Sequence, residues 1–151
     1  MSSIARSIEV DVPVTRAFEA WRNFENLPEF LEGVSHVRRL DADHYELTGD
    51  LGGGQQTWEV RILEEIQDLL LSWESTARRP AMRTLTFSAE GDVTRISMVV
   101  EYEPELVAGR GEDPHAVMTR RIDGELYRFK AYIEARERRA TSLPAQNLPG
   151  H

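Results

Sequence analysis

Hydrophobic and polar positions alternate along residues 4–12. Ile4, Ile8, Val10 and Val12 point one way, and Ala5, Ser7, Glu9 and Asp11 the other, the pattern of a strand with one buried face. Pro13 breaks the strand and suits the first turn of a helix. Ala17, Phe18, Trp21 and Phe24 then follow at helical spacing, which predicts a short helix over about 14–23. Pro28 opens a second short helix carrying Phe30 and Leu31, and Gly33 ends it. Six further strands are predicted over 34–41, 44–51, 56–66, 69–76, 81–89 and 93–103. Their joints carry turn chemistry: Asp41-Ala42-Asp43, Gly52-Gly53-Gly54, Gln67-Asp68, Arg79-Pro80 and Glu90-Gly91-Asp92. Joints this short imply hairpins, hence an antiparallel meander.

One parity of these strands is apolar: Trp58, Val60, Ile62 and Ile66; Leu69, Leu71 and Trp73; Leu85 and Phe87; Ile96, Met98, Val100 and Tyr102. The other is mostly polar, so the sheet has one face to cover. After a loop over 104–114, Met118, Ile122, Leu126, Phe129 and Ile133 recur at steps of four and three, which predicts an amphipathic helix over about 115–139. This is the one element long enough to cover the sheet. The reading is therefore α+β: a curved antiparallel sheet of about seven strands wrapped on a long C-terminal helix. Two short helices follow the first strand, and an internal apolar cavity lies between sheet and helix. The domain occupies 1–139, and 140–151, with two prolines and no periodicity, is expected to be a flexible tail.

A length of 151 residues holds one domain. The net charge of −8 repels phosphate backbones and anionic membrane surfaces, so nucleic acid is not expected as a partner. The absence of cysteine removes disulfides, zinc–thiolate sites and thiol catalysis, and fits a cytoplasmic location. The first residues lack the apolar stretch of a signal peptide, and no apolar run is long enough to span a membrane.

Several stretches resemble the START-like, helix-grip superfamily, and within it the bacterial branch of polyketide cyclase/dehydrase or coenzyme Q-binding-like proteins. They are Ser7–Val14 with Trp21 downstream, Phe24–Val34, Trp58-Glu59-Val60 with Trp73-Glu74-Ser75, Tyr102-Glu103-Pro104-Glu105, and Arg120–Lys130. The resemblance covers about residues 3–138. It implies a pocket for a mostly apolar small molecule, such as a quinone, isoprenoid, lipid or polyketide.

The expected cavity wall is Phe24, Phe30, Trp58, Val60, Trp73, Leu85, Phe87, Met98, Val100, Tyr102, Met118, Ile122 and Leu126. Polar groups on that face are the sharper signal, because burial costs them unless they are paired. Arg6, Glu64 and Arg83 share parity with apolar neighbours, and Arg83 is the most attractive anchor for a ligand oxygen. A cyclase or dehydratase needs such a group plus a proton carrier, for which Tyr45, His36 and Glu64 are the candidates. His36 faces the cavity only if its strand keeps the parity of Val34. No pair of histidines has metal-binding spacing, so neither metal nor cofactor is expected. Gly52-Gly53-Gly54 lacks the lysine and helix of a phosphate loop and reads as a turn. Loop 104–114, with Gly109 and Gly111, is the expected gate. Three functions are compatible with this pattern. A carrier or ligand-binding protein needs only the cavity. An aromatase/cyclase or dehydratase needs convergent acid–base groups. A protein-interaction module needs an exposed apolar patch. The first requires least, and turnover and the choice between monomer and homodimer stay open.

Overall fold

The computed structural model describes residues 2–50, 54–75, 82–107, 109 and 111–147, the side chains of 106 and 141–147 excepted. Seven strands form one sheet: β1 (Ser2–Val10), β2 (Val34–Asp41), β3 (His44–Asp50), β4 (Gln55–Ile66), β5 (Leu70–Ser75), β6 (Met82–Glu90) and β7 (Val93–Tyr102). Their spatial order is β1-β7-β6-β5-β4-β3-β2, and every neighbouring pair is antiparallel. The first strand therefore closes onto the last, and the others follow as the expected meander.

Helix α1 (Val14–Arg22) begins after Pro13, whose extended backbone turns the chain off the sheet. It buries Ala17, Phe18, Ala20 and Trp21. Buried Thr94 fixes that corner, its hydroxyl donating to the Val12 carbonyl at 2.8 Å. The second short helix differs from expectation. It is a 3-10 segment over Phe24–Glu29 with Pro28 inside it, and Phe30 and Leu31 follow it rather than belong to it. Asn23 caps it by accepting from the Glu25 amide, so the segment starts earlier than a proline-initiated helix would.

Helix α2 runs over Pro114–Asn147, past the end near 139 that the apolar periodicity predicts. The loss of apolar periodicity after Ile133 marks where the helix leaves the core, not where it ends. Among the described residues, no helix is long and apolar enough to cross a membrane.

The inner face follows the sequence parity except where β-bulges shift it. Pairing slips between Val34 and His36, between Arg39 and Asp41, and between Ile62 and Glu64. An extra residue at such a point sends everything beyond it to the opposite face from the one that simple alternation predicts. Ile66 is consequently half exposed, although it was expected to share the buried face of Ile62. Leu69, expected within a strand, lies in the β4–β5 turn and is also exposed. Asp68 in that turn takes a φ of 64° and accepts from the Thr15 hydroxyl at 2.9 Å, tying the turn to α1. Within loop 104–114, Pro104–Leu106 form a 3-10 turn and Gly111 has a φ of 84°. The expected turns at Gly52-Gly53 and Arg79-Pro80 lie outside the described residues.

Candidate functional site

The register of the strands defines the inner face. Ile4, Val100, Arg83, Trp73 and Ile62 lie opposite one another across β1, β7, β6, β5 and β4. The next such row carries Ser2 and Tyr102 at one side and Ser75, Val60 and Tyr45 at the other. Of the thirteen residues expected to form the wall, all are buried except Trp58, which is half buried and packs against the same core.

Four of them are committed to ring packing. Trp21 of α1 meets Phe30 at 4.8 Å and Phe129 of α2 at 5.1 Å, and Phe30 meets Phe129 at 5.0 Å. Phe24 meets Trp73 at 5.2 Å and Tyr45 at 5.0 Å, and Phe18 meets Phe87 at 5.3 Å. These edge-on and tilted pairs weld α1, the 3-10 segment and the second half of α2 to the sheet. Phe24, Phe30, Trp73 and Phe87 thus serve as solid core first. At the end of the sheet where β5 finishes and β4 and β6 begin, the inner-facing Gln56, Trp58, Ser75 and Arg83 all keep partial exposure.

Arg83 is on the inner face, as its parity predicted. Its Nη1 donates to Glu125 Oε1 of α2 at 2.5 Å, and its Nη2 to Oε2 at 3.5 Å. The two side chains are 19% and 9% exposed, so this ion pair is nearly withdrawn from water. Nη1 also lies 3.8 Å from the Met98 sulfur. Glu125 is the residue that sequence reasoning missed. Its signal was present: Ile122, Glu125 and Phe129 are three and four residues apart, the spacing of the buried stripe.

Tyr45 is buried and belongs to a different cluster. Its hydroxyl accepts from Arg22 Nη1 at 3.0 Å, while Arg22 Nε donates to Glu65 at 2.8 Å and Nη2 to the Ala42 carbonyl at 3.2 Å. Burial works against the charge on Arg22, but its bonds to Tyr45 and Glu65 outweigh that and hold the guanidinium firmly protonated. This cluster fastens the end of α1 to the β2–β3 turn.

His36 and Glu64 lie off the inner face. The slip at Ser35 turns His36 outward opposite Thr48, and it is exposed. The slip at Leu63 turns Glu64 outward opposite Ser72 and puts Glu65 inward opposite Leu71. Neither His36 nor Glu64 meets Arg83. Arg6 keeps its inward parity and clasps Asp123 of α2 with two bonds, at 2.7 and 2.8 Å. Gly124 gives room to the Arg128 side chain, which would lie 3.2 Å from an added Cβ. Arg128 in turn donates to the Phe30 carbonyl at 3.1 Å and pairs with Glu32 at 3.0 Å. No group of three or more histidine or carboxylate side chains among the described residues has metal-binding geometry.

A seven-stranded antiparallel sheet gripping a long C-terminal helix, with short helical segments between its first two strands, is the helix-grip fold of START-like proteins. A START superfamily protein from Mycobacterium smegmatis superposes with a TM-score of 0.73 at 11% identity, covering 88% of this chain and 97% of that one. The Zhui aromatase/cyclase from Streptomyces sp. R1128 superposes with a TM-score of 0.72 at 13% identity, over 94% and 97% of the two chains. The chain belongs to the family described as polyketide cyclase / dehydrase and lipid transport, which matches residues 10–115. An uncharacterized 17.2 kDa protein of Streptomyces lincolnensis is 30% identical over 139 residues, 90% of this chain and 92% of its own length.

Proposed function

We propose that this protein binds an apolar small molecule between the inner face of the sheet and the first half of α2, as a carrier or ligand-binding protein. The observation that carries the reading is the contrast between the two ends of one apolar face. The aromatic residues around Trp21 pack into a solid plug, whereas Trp58 and Arg83 on the same face keep contact with solvent. A large apolar ring left partly uncovered at the same end of the sheet as a mostly buried ion pair favours a site that a ligand completes. Membership of a family that includes lipid transport supports an apolar ligand. Tyr102, Val100, Met118 and Ile122 supply the wall, and loop 104–114 at the start of α2 is the entry.

The enzyme alternative, a polyketide aromatase/cyclase or dehydratase, needs a proton carrier beside Arg83. Of the three candidates, His36 and Glu64 point away and Tyr45 sits in the Arg22 cluster, and the carboxylate that does lie beside Arg83, Glu125, is held in the ion pair, which favours binding over turnover. Native mass spectrometry of the protein purified from its own host, followed by extraction and identification of what is bound, tests the reading. A stoichiometric apolar molecule is the expected result, with tryptophan emission changing saturably when it is added back. Failure of long-chain ketones, quinones, lipids and isoprenoids alike to alter that emission would overturn it. Bound ligand should also slow amide exchange in loop 104–114; exchange already as slow as in the strands would remove the gate.

A further inference from the structure

On the reading that this face binds an apolar molecule, we infer that the ligand is neutral and carries a carbonyl-type oxygen, which Arg83 takes while Glu125 excludes free carboxylates. Arg83 is placed for recognition, facing inward from β6 between Trp73 and Val100 and diagonal to Tyr102. A guanidinium has five N–H donors. In this structure Nη1 and Nη2 serve Glu125, and no hydrogen bond of Nε to a described residue is formed. Donors left over on a largely buried cation favour an acceptor oxygen.

The charge of that oxygen is set by Glu125. The carboxylate already neutralises Arg83 at 2.5 Å, and the pair is mostly shielded from water. Among the described residues, two neighbouring cations are already paired: Arg6 is clasped by Asp123, and Arg128 pairs with Glu32. A fatty-acid carboxylate arriving at Arg83 would place two negative charges around one positive in a poorly solvated space, which is unfavourable. A ketone, quinone or ester oxygen adds no charge and gains a charge-assisted bond. A ligand hydroxyl next to it would find its acceptor in Glu125. The pair therefore selects oxygenated neutral molecules from among apolar ones, rejecting plain hydrocarbons for want of an acceptor and free acids for excess charge.

The test uses the full chain and three probes of equal length: a long-chain methyl ketone, the corresponding carboxylate and the corresponding alkane. Binding is followed by tryptophan emission at a pH where the carboxylate is ionised. Wild type should bind the ketone at least about tenfold tighter than either of the others. Glu125→Gln should raise carboxylate affinity by about tenfold or more, reversing the order, because Arg83 is then uncompensated. Arg83→Met should erase the difference between ketone and alkane. If wild type takes the carboxylate as tightly as the ketone, the inference is overturned whatever the variants do, so it does not depend on their folding. If wild type binds all three equally, the site recognises no oxygen and the inference falls while the binding function stands. If none binds, the inference falls with the ketone, while the binding function is decided by the quinones, lipids and isoprenoids of the wider panel.

Discussion

At the residue scale, two glycines that look alike in the sequence have opposite meanings. A Cβ on Gly49 of β3 would sit 1.7 Å from the Gly33 carbonyl oxygen and 3.0 Å from the Val34 Cα. Both are backbone atoms, and the Gly33 carbonyl is held by the Asp50 amide at 3.0 Å, so neither can step aside. Gly49→Ala should therefore cost about 3 kcal/mol, at the upper end for overpacking, measured by urea unfolding. At Gly124 the added Cβ meets only the tip of the Arg128 side chain. Gly124→Ala should stabilise by roughly 0.5–1 kcal/mol in the same assay, because helix propensity is recovered and a guanidinium shifts cheaply. Nothing in the sequence distinguishes these positions. Close approach between segments far apart in the chain is a tertiary fact. The same holds for Glu125, where helical spacing placed it on the inner stripe but its charge argued for solvent. Its partner across the sheet decided the matter.

At the element scale, α2 is bound to β1 by polar contacts as well as by its apolar stripe. Glu134 accepts from Lys130 at 2.6 Å and from the Asp11 backbone N–H at 2.7 Å, and Lys130 also donates to the Glu9 carbonyl at 3.0 Å. Partial burial alone would raise the Glu134 carboxyl, but the bonds to Lys130 and Asp11, with the attraction of Lys130 and Arg138, hold it below the usual carboxylate range. A carboxylate with a depressed pKa in the folded state adds stability that is fully present above its unfolded value, near 4.3, and is lost as pH falls through the folded one. Wild type should thus lose stability in that acid window faster than Glu134→Gln, with the two melting curves converging at low pH. Parallel pH profiles would show that Glu134 contributes nothing through its charge. The boundaries of most strands were legible because turn residues punctuate them and the apolar parity is regular. The faces of β2 and of the end of β4 were not, since a bulge leaves no compositional mark and inverts the alternation beyond it. That inversion is why His36 and Glu64 seemed promising and Glu65, with its partner Arg22, went unnoticed.

For the whole molecule, the fold was readable because a single amphipathic helix and a one-faced sheet have few ways of covering each other. The site was less so, since core and cavity wall share the same apolar period and only packing separates them. Phe24, Phe30, Trp73 and Phe87 joined the solid plug, while Trp58 stayed half open. The Arg83–Glu125 pair bridges sheet and helix, and its worth to stability is separable from its worth to binding. Removing one partner, as in Glu125→Leu, should cost on the order of 2 kcal/mol. That is less than the roughly 3–5 kcal/mol of a fully buried pair, because the guanidinium keeps some solvent. Replacing both, Arg83→Met with Glu125→Leu, should restore or exceed wild-type stability, read by thermal melting, while ligand affinity stays low. A double variant as unstable as the single one would mean that the pair is held for architecture alone.

The bulge in β4 has a geometric consequence of its own. Ile62 pairs with Trp73 and Glu64 with Ser72, so Leu63 is surplus length, a residue that the neighbouring strand has no counterpart for. Its side chain spends itself on the convex surface, 40% exposed. Excising it would leave every later side chain on its present face, since the pairing on either side is already continuous. What would vanish is the difference in arc between two adjacent strands, and it is such a difference that makes a ribbon bend. The grip of this sheet on its helix is in that sense written as a count of residues and not as their chemistry.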